Sequence, residues 1–175
     1  MKHPLEWIPE KNRKPLFWGF LLLTITILVL FQLLNRPLMT TSAPSGIISL
    51  QLAFTPENAL VMLDSWDTNA RLFAAFGLGF DYLFMLVYTL ALAMGALLAA
   101  GRHPGWFSYL GVWVGYGALL AGCFDGLENF LQFQQLFHGR LELAFIIGVL
   151  AALKFSLIVL GLLYGLTGWL WKKSQ

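Results

Sequence analysis

Residues 72–100 read LFAAFGLGFDYLFMLVYTLALAMGALLAA, an apolar run broken by a single charge, Asp81. About 20 apolar residues in a helix cross the ~30 Å of bilayer hydrocarbon, and this run exceeds that length. No water at that depth satisfies an open backbone, so a helix is the expected conformation. Asp81 is the informative exception. A charge at the centre of a spanning helix costs about 2.5–3.5 kcal/mol even on the milder scales, so it is expected to face the protein interior, a partner or a wet cavity.

Three further stretches match this one, at about 16–34, 106–130 and 143–171. Composition agrees. Of the 175 residues, 58% are hydrophobic and 11% are charged, where a soluble domain carries about a quarter charged residues. The fold class expected is all-α, a four-helix transmembrane bundle. The net charge of +2 is too small for a nucleic-acid partner. Cys123 is the lone cysteine, which excludes an intrachain disulfide and any multi-cysteine metal site.

The first run follows Lys11, Arg13 and Lys14, as a secretory leader would. It is longer than the 7–15 residues of a leader's apolar region, and Pro44 follows the cleavage-like Thr41-Ser42-Ala43. An uncleaved anchor is expected. Basic residues in short flanks mark the cytoplasmic side. With the N-terminus inside, Lys2, Lys11, Arg13, Lys14, Arg102, Lys172 and Lys173 lie inside, against Arg36, Arg71 and Arg140 outside. Trp18, Trp106, Trp169 and Trp171 fall at that same inner interface. The expectation is N-in and C-in, with a polar, non-helical cytoplasmic tail at 1–15, a membrane domain at 16–171 and a short C-terminal tail at 172–175.

The loop at 37–71 is the one substantial part expected outside the membrane. Ile48, Leu50, Leu52 and Phe54 alternate with Ser49, Gln51 and Ala53, a period of two that predicts an extended segment. Thr55-Pro56-Glu57 then reads as a helix start, with Leu60, Leu63 and Trp66 at helical spacing. A short amphipathic helix is expected there, as a cap over the bundle or a lid over a site.

Ionisable residues recur inside the other spans. Ala74, Gly77, Asp81, Tyr88, Gly95 and Ala99 share a face of the second helix, and small residues allow close helix packing in lipid. In the third, Gly111, Gly115, Ala118 and Gly122 continue as Asp125, Asn129 and Gln132, with Glu128 beside Asp125. In the fourth, Lys154 leans back toward the N-terminal end of its helix, above Gly161, Gly165 and Gly168. One polar cluster is expected in the outer half: Asp81, Asp125, Glu128, Asn129 and Lys154, with Tyr88 below. Three carboxylates then meet one ammonium. Either one carboxyl keeps its proton, or a further cation enters from Arg71, Arg140 or a ligand.

Three functional readings follow. The cluster binds or processes a lipophilic small molecule or membrane lipid, it is an ion-pair network that only fixes helix packing, or it serves a proton- or cation-coupled carrier. No motif identifies a reaction. No cofactor and no metal is expected, because Lys154 opposes a cation beside Asp125, Glu128 and Asn129. Asp125-Gly126-Leu127-Glu128-Asn129 is similar to the acidic motifs of membrane prenyltransferases, but those use two such motifs and one is present here.

Phe80-Asp81-Tyr82, Asp125 with Glu128-Asn129, Lys154 and the segment up to Phe54-Thr55-Pro56 give the chain a further likeness. It resembles an uncharacterised group of small bacterial four-helix integral membrane proteins. That resemblance implies the bacterial inner (plasma) membrane as location and carries no activity.

Overall fold

The computed structural model describes residues 2–171, and their regular elements are all helical. The tail expected at 172–175, with Lys172 and Lys173, lies outside the described residues. In chain order the α-helices are α1 (Glu10–Asn35), α2 (Ile47–Gln51), α3 (Pro56–Asp64), α4 (Thr68–Ala100), α5 (Trp106–His138) and α6 (Ala144–Leu170). Short 3-10 turns stand at Arg36–Leu38 and Leu141–Leu143. Four stretches are long and apolar enough to cross a membrane: Glu10–Leu38, Thr68–Ala100, Trp106–His138 and Leu141–Leu170. They mark the chain as an integral membrane protein. The chain divides into two compact units. The first holds residues 2–25, 86–123 and 154–171, and the second holds 26–85 and 124–153.

In the first unit, the segment before α1 is not the polar tail expected from its prolines. His3, Leu5 and Ile8 are buried. Leu5 and Ile8 join Ala93, Met94, Leu97 and Ala118 in one apolar cluster. Arg13 folds back over this segment, donating from Nε to the Ile8 carbonyl at 2.9 Å and from Nη2 to the Glu6 carbonyl at 3.0 Å. The helix itself starts at Glu10 and runs through Pro15. Pro15 removes one N–H close to the helix start, where several backbone groups lack helical partners in any case. The carbonyl it strands belongs to Lys11, an exposed residue.

The small residues of α5 in this unit receive specific side chains. A Cβ at Gly111 would strike the Tyr164 hydroxyl, one at Gly115 the His3 ring, and one at Gly122 the Thr89 methyl at 2.7 Å. Tyr164 also donates to the Phe107 carbonyl at 2.8 Å and stacks on the Phe107 ring. Thus the glycine stripe expected to bring helices together partly serves as a set of sockets.

In the second unit, residues 36–67 are tightly organised. Leu38, Ala43, Leu50, Ala53, Ala59, Leu63 and Trp66 share a buried core with Ala70, Ala74 and Leu78 of α4, Leu136 of α5 and Ala144 of α6. Trp66 donates its indole N–H to the Leu38 carbonyl at 2.8 Å, tying the two ends of this segment.

The alternation at 48–54 does not give an extended segment, because residues 47–51 are α2. Asn35 is the reason. Its Oδ1 accepts from the Ile47 N–H at 2.9 Å, which supplies the acceptor that a helix start lacks. Its Nδ2 donates to the Ser45 carbonyl at 3.1 Å. Gly46, at φ +60°, makes the turn between them. Leu50 and Gln51 are both buried although adjacent, which a period of two forbids.

Helix α3 starts as its sequence dictates. Thr55 Oγ1 accepts from the Asn58 N–H at 3.2 Å, and Pro56 takes the first position. At the start of α4, Asp67 Oδ1 accepts from the Ala70 N–H at 2.7 Å. Helix α5 runs on past Phe130 to His138 and ends at Gly139, whose φ of +64° suits the left-handed residue after a helix. Hydropathy falls near Phe130, but glutamine is a good helix former. Gln132 and Gln135 are therefore carried as helical residues.

Enclosure differs among the helices. In α1 the buried residue is Ile27, whereas 56% of the apolar window of α4 is buried. Gly77 and Gly79 of α4 meet nothing within 4 Å, so Gly77 does not share the packed face expected for it with Ala74.

Candidate functional site: a buried acid and amide face on α5

Asp125, Glu128, Asn129, Gln132 and Gln135 follow at steps of three and one and so share a face of α5. Ten residues at 1.5 Å each make this face about 15 Å long. Their exposures are 3%, 0%, 1%, 0% and 1%. On the opposite side Leu127, Phe130, Phe133 and Phe137 are 43% to 52% exposed. Polar atoms are inside and rings are outside, the reverse of a helix on a soluble protein. That inversion is what a lipid-facing helix requires, since lipid accepts Phe and Leu and rejects carboxylates and amides.

Two acid–amide pairs organise the face. Asn129 Nδ2 donates to Asp81 Oδ2 at 2.6 Å, joining α5 to α4. Gln132 Nε2 donates to Glu128 Oε1 at 3.0 Å, along α5 itself. A third link is on the exposed side, where the Tyr82 hydroxyl donates to the Gly126 carbonyl at 3.1 Å. The two helices are close here, because a Cβ at Gly126 would lie 3.2 Å from the Met85 sulfur.

Other hydrogen-bonding capacity on this face is left over. Gln135 Oε1 and Nε2, Gln132 Oε1 and Asn129 Oδ1 are buried and have no hydrogen-bond partner among the described residues. Exchanging amide oxygen and nitrogen changes nothing at Gln135, where neither atom is served. Each such orphan costs about 1–3 kcal/mol.

Of the residues expected to form the cluster, the structure joins Asp81 to Asn129 and places Asp125 and Glu128 on the same buried face. Tyr88 and Lys154 are buried in the first unit, each 4% exposed. Lys154 Nζ lies 4.8 Å from the centroid of the Phe155 ring, within cation–π range. Arg71 and Arg140, considered as extra cations, have other partners. Arg71 donates to the Leu63 and Trp66 carbonyls at 2.8 and 3.3 Å and stands 4.0 Å from Asp64. Arg140 pairs with Glu142. Gln135 is the residue that sequence reading missed. The signal was the step of three from Gln132, but the helix was expected to stop at 130.

Among the described residues, no group of three His, Cys, Asp or Glu side chains is placed to hold a metal ion. The fold and this face define an all-helical protein with four helices fit to cross a membrane and an acid and amide interior. No family model matches the chain, and neither a curated protein nor a solved structure is significantly similar to it.

Proposed function

We propose that the chain is a bacterial inner-membrane protein with both termini in the cytoplasm, and that the buried face of α5 binds the polar head of a lipophilic small molecule. The excess of Lys and Arg at the side of Lys11, Lys14 and Arg102 supports the orientation.

The observation that carries the binding reading is the unused capacity of Gln135, Gln132 and Asn129. A face made only to fix packing has no reason to keep amides that serve nothing. Leucine fills similar space and has no polar atoms to strand. A ligand with hydroxyl, carbonyl or amide groups supplies the missing partners, and an apolar tail leaves it at home among the surrounding side chains. Asp81, Asp125 and Glu128 add groups able to exchange a proton, so acid–base processing of the bound molecule falls within the chemistry of this face.

The test compares the native chain with Gln135→Leu, both purified in detergent from the same cells. Their organic extracts are compared by mass spectrometry. The expected result is one lipophile enriched with the native chain and reduced about tenfold in the variant, the effect of roughly one lost hydrogen bond to a buried group. Equal extracts, together with a more heat-stable variant, would establish the packing role instead.

A further inference from the structure

The first unit carries an open groove of about 300 Å³, lined by Lys14, Phe17, Trp18, Leu98, Arg102 and Trp169. Its walls are apolar and aromatic, and its two charged residues are both cations. We propose that this groove binds an anionic phospholipid, with the phosphate between Lys14 and Arg102 and an acyl chain along Phe17 and Leu98. The site is independent of the face on α5.

The walls are built to stay open. Phe17 rests on Gly95 of α4, where a Cβ would come within 3.2 Å of its ring, so that glycine seats the ring. Phe17 and Trp18 meet edge to face at 5.2 Å, and Trp18 meets Trp169 edge to face at 6.1 Å. Indole rings favour the interface between headgroup and hydrocarbon, the depth a phospholipid glycerol occupies.

The cations are available. Arg102 Cζ lies over the Trp169 ring, 5.5 Å from its centroid and within cation–π range. Among the described residues neither Lys14 nor Arg102 has an ion-pair partner. Neither of the acids nearest in sequence to Lys14 stands within 4.0 Å of its ammonium. Glu6 accepts from the His3 N–H, and Glu10 lies 3.8 Å from Arg13. A planar fork beside an ammonium, over apolar walls, suits a phosphate that carries a hydrocarbon chain.

The experiment uses the full chain in neutral detergent. Phosphatidylglycerol, phosphatidylcholine with the same acyl chains, and inorganic phosphate are each titrated. Adducts are counted by native mass spectrometry, and the thermal midpoint is followed in parallel. Phosphatidylglycerol is expected to bind and raise the midpoint, with phosphatidylcholine and phosphate far weaker. Lys14→Gln and Arg102→Gln should each weaken phosphatidylglycerol about fivefold, the effect of one interfacial cation. Lys2→Gln, a cation outside the groove, should leave it unchanged. Both lining residues are exposed, so their loss spares the fold. Equal binding of the two lipids, an equal effect of Lys2→Gln, or a midpoint rise with inorganic phosphate alone would each overturn the proposal.

Discussion

Phe54 is the described non-glycine residue with a positive φ, at 57°. A bulky residue held there is strained by about 1–3 kcal/mol, so the fold must offset it. The offset is visible in the same unit. The Phe54 ring lies on Gly148 of α6, where a Cβ would come 2.5 Å from Cδ1 and 2.7 Å from Cε1. The backbone turns into an unfavourable region so that the ring reaches a notch only glycine provides. Gly148→Ala fills that notch with a methyl that the ring cannot share. It is expected to lower stability by about 1–3 kcal/mol, the usual range for overpacking. Gly79→Ala is the matched control, because nothing lies within 4 Å of its site. It should be neutral or slightly stabilising through helix propensity. Thermal unfolding in detergent measures both, and equal midpoints for the two variants would remove Phe54 and Gly148 from the account of this segment.

The segment before α1 behaves as an element although it is not a helix. It is held by Leu5 and Ile8 in the apolar cluster and by the His3 ring against Gly115 of α5. His3 Nδ1 accepts from the Leu5 N–H at 3.1 Å. Burial pushes the imidazole from its ordinary 6.5 down to about 4, opposed by the Glu6 carboxylate and reinforced by Arg13. The docked state therefore favours neutral His3, while the released segment takes up a proton near pH 6.5. The stability from docking is present above about 6.5 and is lost as the pH falls from there toward 4. Hydrogen exchange in residues 3–8, corrected for intrinsic rate, should rise between pH 7 and pH 5. His3→Leu should flatten that response. A native profile as flat as the variant's would show that the ring does not govern docking.

This element also marks where sequence reading stops. Spans are legible because lipid imposes a length and an apolar composition on each helix separately, as at residues 72–100. The ends are less legible, since a helix continues after the need for apolar residues has ended. Glu10 to Pro15 and Gln132 to His138 are helical on that account. Contacts across long sequence distance were readable only where a charge in an apolar run called for a partner, as between Asp81 and Asn129. Nothing near Ile47 announces that Asn35 caps it, and nothing near His3 announces Gly115 as its socket. The candidate site was legible as far as Asp81, Asp125, Glu128 and Asn129. A charge in an apolar run needs an explanation, whereas Gln135 in a polar stretch does not ask for one.

For the whole molecule, the decisive property is which environment its surface fits. Leu22, Leu23, Ile25, Leu28, Val29, Leu30 and Leu33 of α1 are all exposed, and so are Leu127, Phe130, Phe133 and Phe137 of α5. A water-soluble protein rarely leaves contiguous apolar patches of this kind uncovered, while a bilayer welcomes them. The same inversion sets opposite rules for the two sides of α5. On the exposed side, Leu127→Lys or Phe133→Lys puts an ammonium among apolar side chains toward one end of the helix and should oppose insertion, by less than the about 2.5–3.5 kcal/mol that holds at a helix centre. On the buried side, Gln132→Leu removes a polar group that has one bond to Glu128 and one orphaned oxygen. Its effect on insertion should be small beside that of the lysines, because the relieved orphan offsets part of the cost of taking the amide donor from Glu128 Oε1. Membrane-integrated yield of the three variants, read against the native chain, measures the difference. In water the ranking would reverse, since an exposed lysine is harmless there and an exposed phenylalanine is not. Lysine variants that accumulate as well as the native chain would mean that these rings face something other than lipid, such as a second protein surface.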